Sequence, residues 1–131
     1  MKALFKEVIG LHQFIQDWLT GSVPKTREEY SRFDDALDTD FRIVHPSGTL
    51  ERRDQLVESF WSAHAAKEPT FSIEIRNLRF RLSFGPYALL TYEEWQHGPS
   101  TTARLSTVVF RVADDGGKVR WAHLHETWMP T

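Results

Sequence analysis

The stretch FSIEIRNLRFRLSF, residues 71–84, alternates apolar and polar side chains, the period of a strand with one buried face. Phe71, Ile73 and Ile75 take odd positions, whereas Leu78, Phe80, Leu82 and Phe84 take even ones. A strand cannot move its apolar set to the other face without an extra residue. The pattern therefore predicts a β-bulge at Arg76-Asn77 in one long, bent strand.

The same period continues to the end of the chain. Gly85-Pro86 turns into YALLTYEEWQ (87–96), HGPS (97–100) into TARLSTVVFRV (102–112), and DDGG (114–117) into KVRWAHLHETW (118–128). Before Pro69 the period is helical. Leu4, Val8, Leu11, Ile15 and Trp18 form one stripe that Gly21 ends. A second helix follows Pro24, with Thr26 and Glu29 as a capping box and Tyr30, Phe33 and Leu37 as its stripe. DFRIVHP (40–46) reads as a short strand with Phe41, Ile43 and His45 on one face. PSG turns the chain into a third helix within residues 50–67, its apolar side formed by Leu56, Val57, Phe60, Trp61 and His64. The order is α-α-β-α-β-β-β-β. It predicts a single α+β domain over 1–131, three helices packed in a strongly curved antiparallel sheet whose open end forms a pocket.

Composition limits the function. With 16 basic and 18 acidic residues the net charge is −2, which provides no electrostatic footprint for nucleic acid. The absence of cysteine excludes disulfides, thiolate metal sites and cysteine nucleophiles. Charges interrupt the first twenty residues, so they do not read as a signal peptide. No apolar run approaches the roughly 18 residues of a membrane span. The expectation is a cytoplasmic protein without nucleic-acid or membrane partners. The basic runs RRD (52–54), with Lys67, and RNLRFR (76–81) read as a solvated helix face and an alternating strand. No phosphate-cradling glycine loop, G-x-S-x-G elbow or H-E-x-x-H helix occurs.

On the last strand Trp121, His123, His125 and Thr127 share one face, and Ala122, Leu124, Glu126 and Trp128 the other. Histidines two apart can ligate a metal only with a third ligand, which no nearby spacing supplies, so neither metal nor cofactor is expected. Arg104 shares its face with Ser106, Val108 and Phe110.

This layout resembles the nuclear transport factor 2-like superfamily, the SnoaL-like or cystatin-like α+β roll. RLSTVVFRVADDGGKVRWAHLHETW (104–128) looks like the close of the calcium/calmodulin-dependent protein kinase II association domain, through Gly117, Lys118, Trp121, His123, His125 and Thr127. DFRIVHPSG (40–48) resembles the first-strand segment of ketosteroid isomerase.

The resemblance implies that Trp121, His123 and His125 lie on an outer sheet face that forms a homodimer, joined by Trp95. It places Tyr92 and Glu94 inward, with Glu94 and Glu126 where the association domain has arginines. Arg104 would then pair with one of these carboxylates, or an unpaired one would rise in pKa and act as acid or base. His45 falls where the isomerase has its general-base aspartate, and is a candidate base. Trp18, Phe41, Trp61, Tyr92 and Arg104 are the candidate ligand contacts. The isomerase's oxyanion-hole acid has no counterpart near Val109–Phe110. Three functions are consistent with this pattern: binding of a small, largely apolar organic ligand, proton-transfer chemistry assisted by Glu94 and Glu126, or homo-oligomerisation.

Overall fold

The computed structural model describes all residues except 115 and 116, so the DDGG turn lies partly outside the described residues. Three helices, α1 (Lys2–Thr20), α2 (Arg27–Asp34) and α3 (Arg53–Ser62), pack in a curved, unclosed sheet of six strands. The strands are β1 (Leu37–Val44), β2 (Leu50–Arg52), β3 (Ser72–Phe84), β4 (Tyr87–His97), β5 (Thr101–Val112) and β6 (Val119–Met129). Their spatial order is β2-β1-β6-β5-β4-β3. β3 to β6 form the expected antiparallel meander, and β1 joins β6 in parallel. Strand β2 was not expected from the sequence. Leu50–Arg52 is too short for a periodic signal and is a strand only because β1 pairs with it.

Local chemistry sets the helix ends as the sequence predicts. α1 stops at Gly21, which adopts φ 75, and a Cβ there would stand 2.9 Å from that of Ala65. The Thr26 hydroxyl accepts the Glu29 N–H at 3.2 Å and starts α2. Leu37, expected on the α2 stripe, instead opens β1, because α2 ends at Asp34. The helices bury an aromatic core around Trp18, whose ring centroid lies 4.7 Å from Tyr30 and 5.4 Å from Trp61. No helix among the described residues is long and apolar enough to cross a membrane.

Register slips curve the sheet. Arg76 pairs with Glu93 and Arg79 with Thr91, so β3 carries the extra residue predicted at Arg76-Asn77. Asn77 takes the left-handed conformation at φ 54, and its amide donates to the Glu93 carboxylate. A second slip, between Phe80 and Leu82, was not predicted. Leu82 and Phe84, read as part of one apolar face, are each 48% exposed beyond it. A third slip lies in β6, where Val109 pairs with His123 but Phe110 pairs with Trp121. Ala122 is the extra residue. It reverses parity, so Trp121 points inward and is 1% exposed instead of joining His123 and His125 on the outer face. The Trp121 ring meets Phe110 at 4.7 Å and its indole N–H donates to Glu7 at 2.9 Å.

Asn77→Val, which places a β-branched residue at positive φ, is expected to destabilise the fold by about 1–2 kcal/mol. Asn77→Gly is expected to stay within roughly 0.5 kcal/mol of the parent. Urea unfolding of both variants measures the difference.

Candidate functional site

The concave face of the sheet and the helices enclose a pocket of about 220 Å³. Its walls are apolar: Leu11 and Ile15 from α1, Phe41 from β1, Phe60 from α3, and Trp121 and Leu124 from β6. His12, Glu94, Gln96, Arg104 and Glu126 supply the polar surface, with His45 also in the lining.

α1 places His12 one turn after Val8, on the buried face of the helix. Its Nδ1 stands 2.7 Å from the Val8 carbonyl oxygen and its Nε2 3.1 Å from Glu94 Oε1. A carbonyl only accepts, so Nδ1 carries a proton and donates. A second proton must then lie between Nε2 and Glu94, because two acceptors would otherwise face each other. Burial alone pushes the His12 imidazole down, but the charge of Glu94 and the hydrogen bond to it hold its pKa above the ordinary value. Burial likewise opposes ionisation of Glu94, yet the charge and hydrogen bond of His12, then Arg104, hold it well below the usual range. Glu94 Oε2 also accepts the Gln96 amide at 2.8 Å. The pair is an imidazolium–carboxylate ion pair.

Glu126, two strands away, is opposite in character. Its Oε2 accepts the Ser106 hydroxyl at 3.1 Å and its Oε1 the Arg104 guanidinium at 3.4 Å. Burial, and then the negative charge of Glu94, raise its pKa despite these donors. Two carboxylates in one pocket are thus driven apart, one ionised and one drawn towards its acid form. Tyr92 lies behind them, fully buried, its ring 5.3 Å from His12. Its hydroxyl lies beside that of Ser106. Burial raises the pKa of the Tyr92 hydroxyl well above its ordinary value, so it remains protonated.

His45 is half-buried just beyond β1. Its Nε2 meets Glu51 Oε1 at 2.9 Å, and the Ser59 hydroxyl donates to Glu51 Oε2 at 3.1 Å. The other ring nitrogen is left without a partner among the described residues.

Of the sequence-predicted contacts, Phe41, Arg104, Glu94, Glu126 and His45 line this pocket. Trp18 does not. It is fully buried in the helical core, where its indole N–H donates to the Phe60 carbonyl at 2.8 Å. Trp61 packs on the far side of that core under the Arg27 guanidinium, 3.8 Å above its ring. Tyr92 supports the pocket from behind its lining. Trp128, expected inward, is 53% exposed with Arg104 over its ring. His12 was missed, although its spacing of four from Val8 is itself a signal. Glu51 and Gln96 were missed as well, and no sequence pattern marks them.

On the outer face Trp95 donates its indole N–H to Glu93 at 2.9 Å beneath the Arg76 guanidinium. The His123 and His125 rings lie 6.5 Å apart. Among the described residues no three His, Asp or Glu side chains converge as a metal-ligand set.

Residues 5–130 match the family described as sucrose-6-phosphate phosphohydrolase C-terminal. Sucrose-phosphatase 2 of Nicotiana tabacum is 24% identical over 130 residues, 94% of this chain, which spans about 30% of that relative's length. An NTF-2 like protein of unknown function from Pseudomonas aeruginosa is 31% identical, covers 98% of this chain and 99% of its own, and superposes with a TM-score of 0.89. The calcium/calmodulin-dependent kinase II hub of S. rosetta has the same fold, with 15% identity, 95% of each chain covered and a TM-score of 0.70. The nuclear transport factor 2-like fold expected from the sequence is therefore the fold of this chain.

His12→Ala leaves the buried Glu94 carboxylate without its cation and is expected to destabilise the protein by about 3 kcal/mol. Because the folded pKa of His12 is raised, its contribution is complete below its unfolded value and is lost as pH rises through the folded value. Because that of Glu94 is lowered, its contribution is present above its unfolded value and is lost as pH falls through the folded one. The effect of the substitution is therefore expected to be largest between about pH 4.3 and about pH 6.5 and to shrink in alkali, as urea unfolding across pH measures. Glu94→Gln removes a like charge and is expected to lower the Glu126 pKa, read by carbon NMR titration of its carboxyl group.

Proposed function

The chain belongs to the sucrose-6-phosphate phosphohydrolase C-terminal family, and from that premise we propose that it binds a small, largely apolar organic molecule in the cone. The observation that carries this reading is the buried group of His12, Glu94 and Glu126, joined by the half-buried Arg104, in an apolar pocket. Burying ionisable groups opposes folding unless they are paired, and well-packed apolar residues would be at least as stable there. Their retention is accounted for if they recognise the polar end of a ligand whose body lies against Phe41, Phe60 and Leu124. Arg104 and the carboxyl group of Glu126 offer donors to a carbonyl or hydroxyl oxygen. Sugars enter the test set because the tobacco relative is named for sucrose phosphate.

A second reading, proton transfer such as isomerisation, dehydration or hydrolysis, draws support from His45. Glu51 grips one ring nitrogen of this pocket-lining histidine and leaves the other without a partner among the described residues, an arrangement that suits an oriented general base. Self-association through the outer face of Trp95, His123 and His125, as a cytoplasmic homodimer, accompanies either reading.

Native mass spectrometry of freshly purified protein is expected to give a dimer carrying an extra organic mass. Arg104→Ala is expected to diminish that mass. A bare protein that also binds no member of a panel of sugars and small apolar carbonyl compounds overturns the binding reading. If a bound compound is turned over, His45→Ala is expected to abolish turnover while affinity persists. Unchanged turnover in that variant removes the second reading.

A further inference from the structure

One cation of the cone is under-used. Glu94 accepts from His12 on one carboxylate oxygen and from Gln96 on the other. Arg104 stands directly opposite Glu94 on the β4–β5 pair, yet its one hydrogen bond among the described residues runs from Nη1 to Glu126 Oε1, at 3.4 Å. Trp128, opposite Arg104 on β6, lies with its ring centroid 4.9 Å from the guanidinium and offers it no oxygen acceptor. A guanidinium has five N–H donors in a planar fork, so most of the capacity of this pocket-lining arginine is open.

Glu126 holds the complementary place. It is faced by Arg104 and the Ser106 hydroxyl from β5, by Glu94 and Tyr92 from β4, and by His12 from α1. Burial and the charge of Glu94 draw it towards its acid form. His12 and Glu94 cancel as an ion pair. The charge of the whole group therefore follows the other pair: it is zero while Glu126 is ionised and positive once Glu126 is protonated. A site walled by Leu11, Ile15, Phe41 and Leu124 tolerates little uncompensated charge. An entering ammonium group would add a charge that nothing offsets. An anion that paired with Arg104 would strand Glu126 as a second buried anion, unless Glu126 took up a proton in the same step. A neutral carbonyl oxygen would keep the balance but offers two lone pairs, where a carboxylate offers about four to the open donors.

We propose that the cone takes small apolar monocarboxylic acids together with one proton: the carboxylate pairs with Arg104, and Glu126 keeps the proton and donates it to the ligand in a hydrogen bond. This rests on ligand binding in the cone and narrows the ligand's class. A phosphate monoester carries a charge of about −1.5 to −2 at pH 7, which one proton on Glu126 leaves uncompensated, so it falls outside the class.

The test is isothermal titration calorimetry of the full chain with benzoate and hexanoate, each beside its primary amide, and with phenyl phosphate. Probes of this size suit a pocket of about 220 Å³, since a dry cavity of about 150 Å³ holds benzene. Each acid is expected to bind at least about tenfold more tightly than its amide and than phenyl phosphate. In two buffers of different ionisation enthalpy at pH 8, binding is expected to take up as much as about one proton, and affinity to fall by up to about tenfold per pH unit in alkali. Glu126→Gln, which keeps a donor without a charge, is expected to bind the acids at least as tightly and to lose both the proton uptake and the pH dependence, which separates Glu126 from His12 and His45. Arg104→Gln is expected to weaken the acids by about tenfold or more and the amides far less. Should a variant unfold, the proton count and pH series of the parent protein still decide. Amides that bind as tightly as the acids, acid binding without proton uptake, pH dependence that survives in Glu126→Gln, or phenyl phosphate binding more tightly than benzoate each overturn the proposal and leave the cone a binding site. Binding of none of these compounds also overturns it, and the organic mass retained in native mass spectrometry then decides separately whether the cone binds a ligand.

Discussion

The cone exists because the sheet bends, and the sheet bends where strands hold more residues than their neighbours. At Asn77, with φ 54, β3 carries one residue beyond what β4 can pair, and further slips follow beyond Phe80 and at Ala122. Each extra residue increases the local twist and reverses which side chains face inward. Together the slips let the sheet wrap α1 closely enough for His12 to reach Glu94 on β4. The slip at Ala122 also carries Trp121 into the core, where it closes the base of the pocket beside Phe110.

Curvature brings ionisable groups together in a place where water is scarce. Glu94 and Glu126 feel each other there, and the protein resolves their repulsion asymmetrically. Glu94 receives a cation and the Gln96 amide, whereas Glu126 receives a hydroxyl and a longer contact from Arg104. The result is a fixed internal polarity: an ion pair on the α1 side, and on the β6 side a carboxyl group drawn towards neutrality. The apolar walls strengthen both effects, because a low-dielectric lining magnifies every charge that faces it. His45, oriented by Glu51, also lines the pocket, which therefore has two chemically different polar regions.

Much of this was legible from the chain alone. Period-2 alternation identified the four long strands, and the parity change in residues 71–84 located the Asn77 bulge. Stripes at three- and four-residue spacing, the Thr26 cap and Gly21 identified α1 and α2. The resemblance and strand parity also placed Glu94 inward and left Arg104 to pair with Glu94 or Glu126, and the contact it makes is with Glu126. Other features were hidden. β6 shows no visible break at Ala122, since each of its faces carries a tryptophan, so Trp121 was placed outside. Aromatic residues at helical spacing do not distinguish a core from a pocket wall: Trp18 lies in the core and Trp61 packs half-buried against it.

The amino-acid sequence by itself determined the elements, their order and the first bend, because periodicity, capping and bulges act between residues close along the chain. Tertiary structure alone decided the partners of the charges. His12 and Glu94 are 82 residues apart, and Trp121 meets Glu7 across 114. No local pattern encodes such pairings. They depend on the summed curvature of several register slips and on which buried carboxylate a cation can reach.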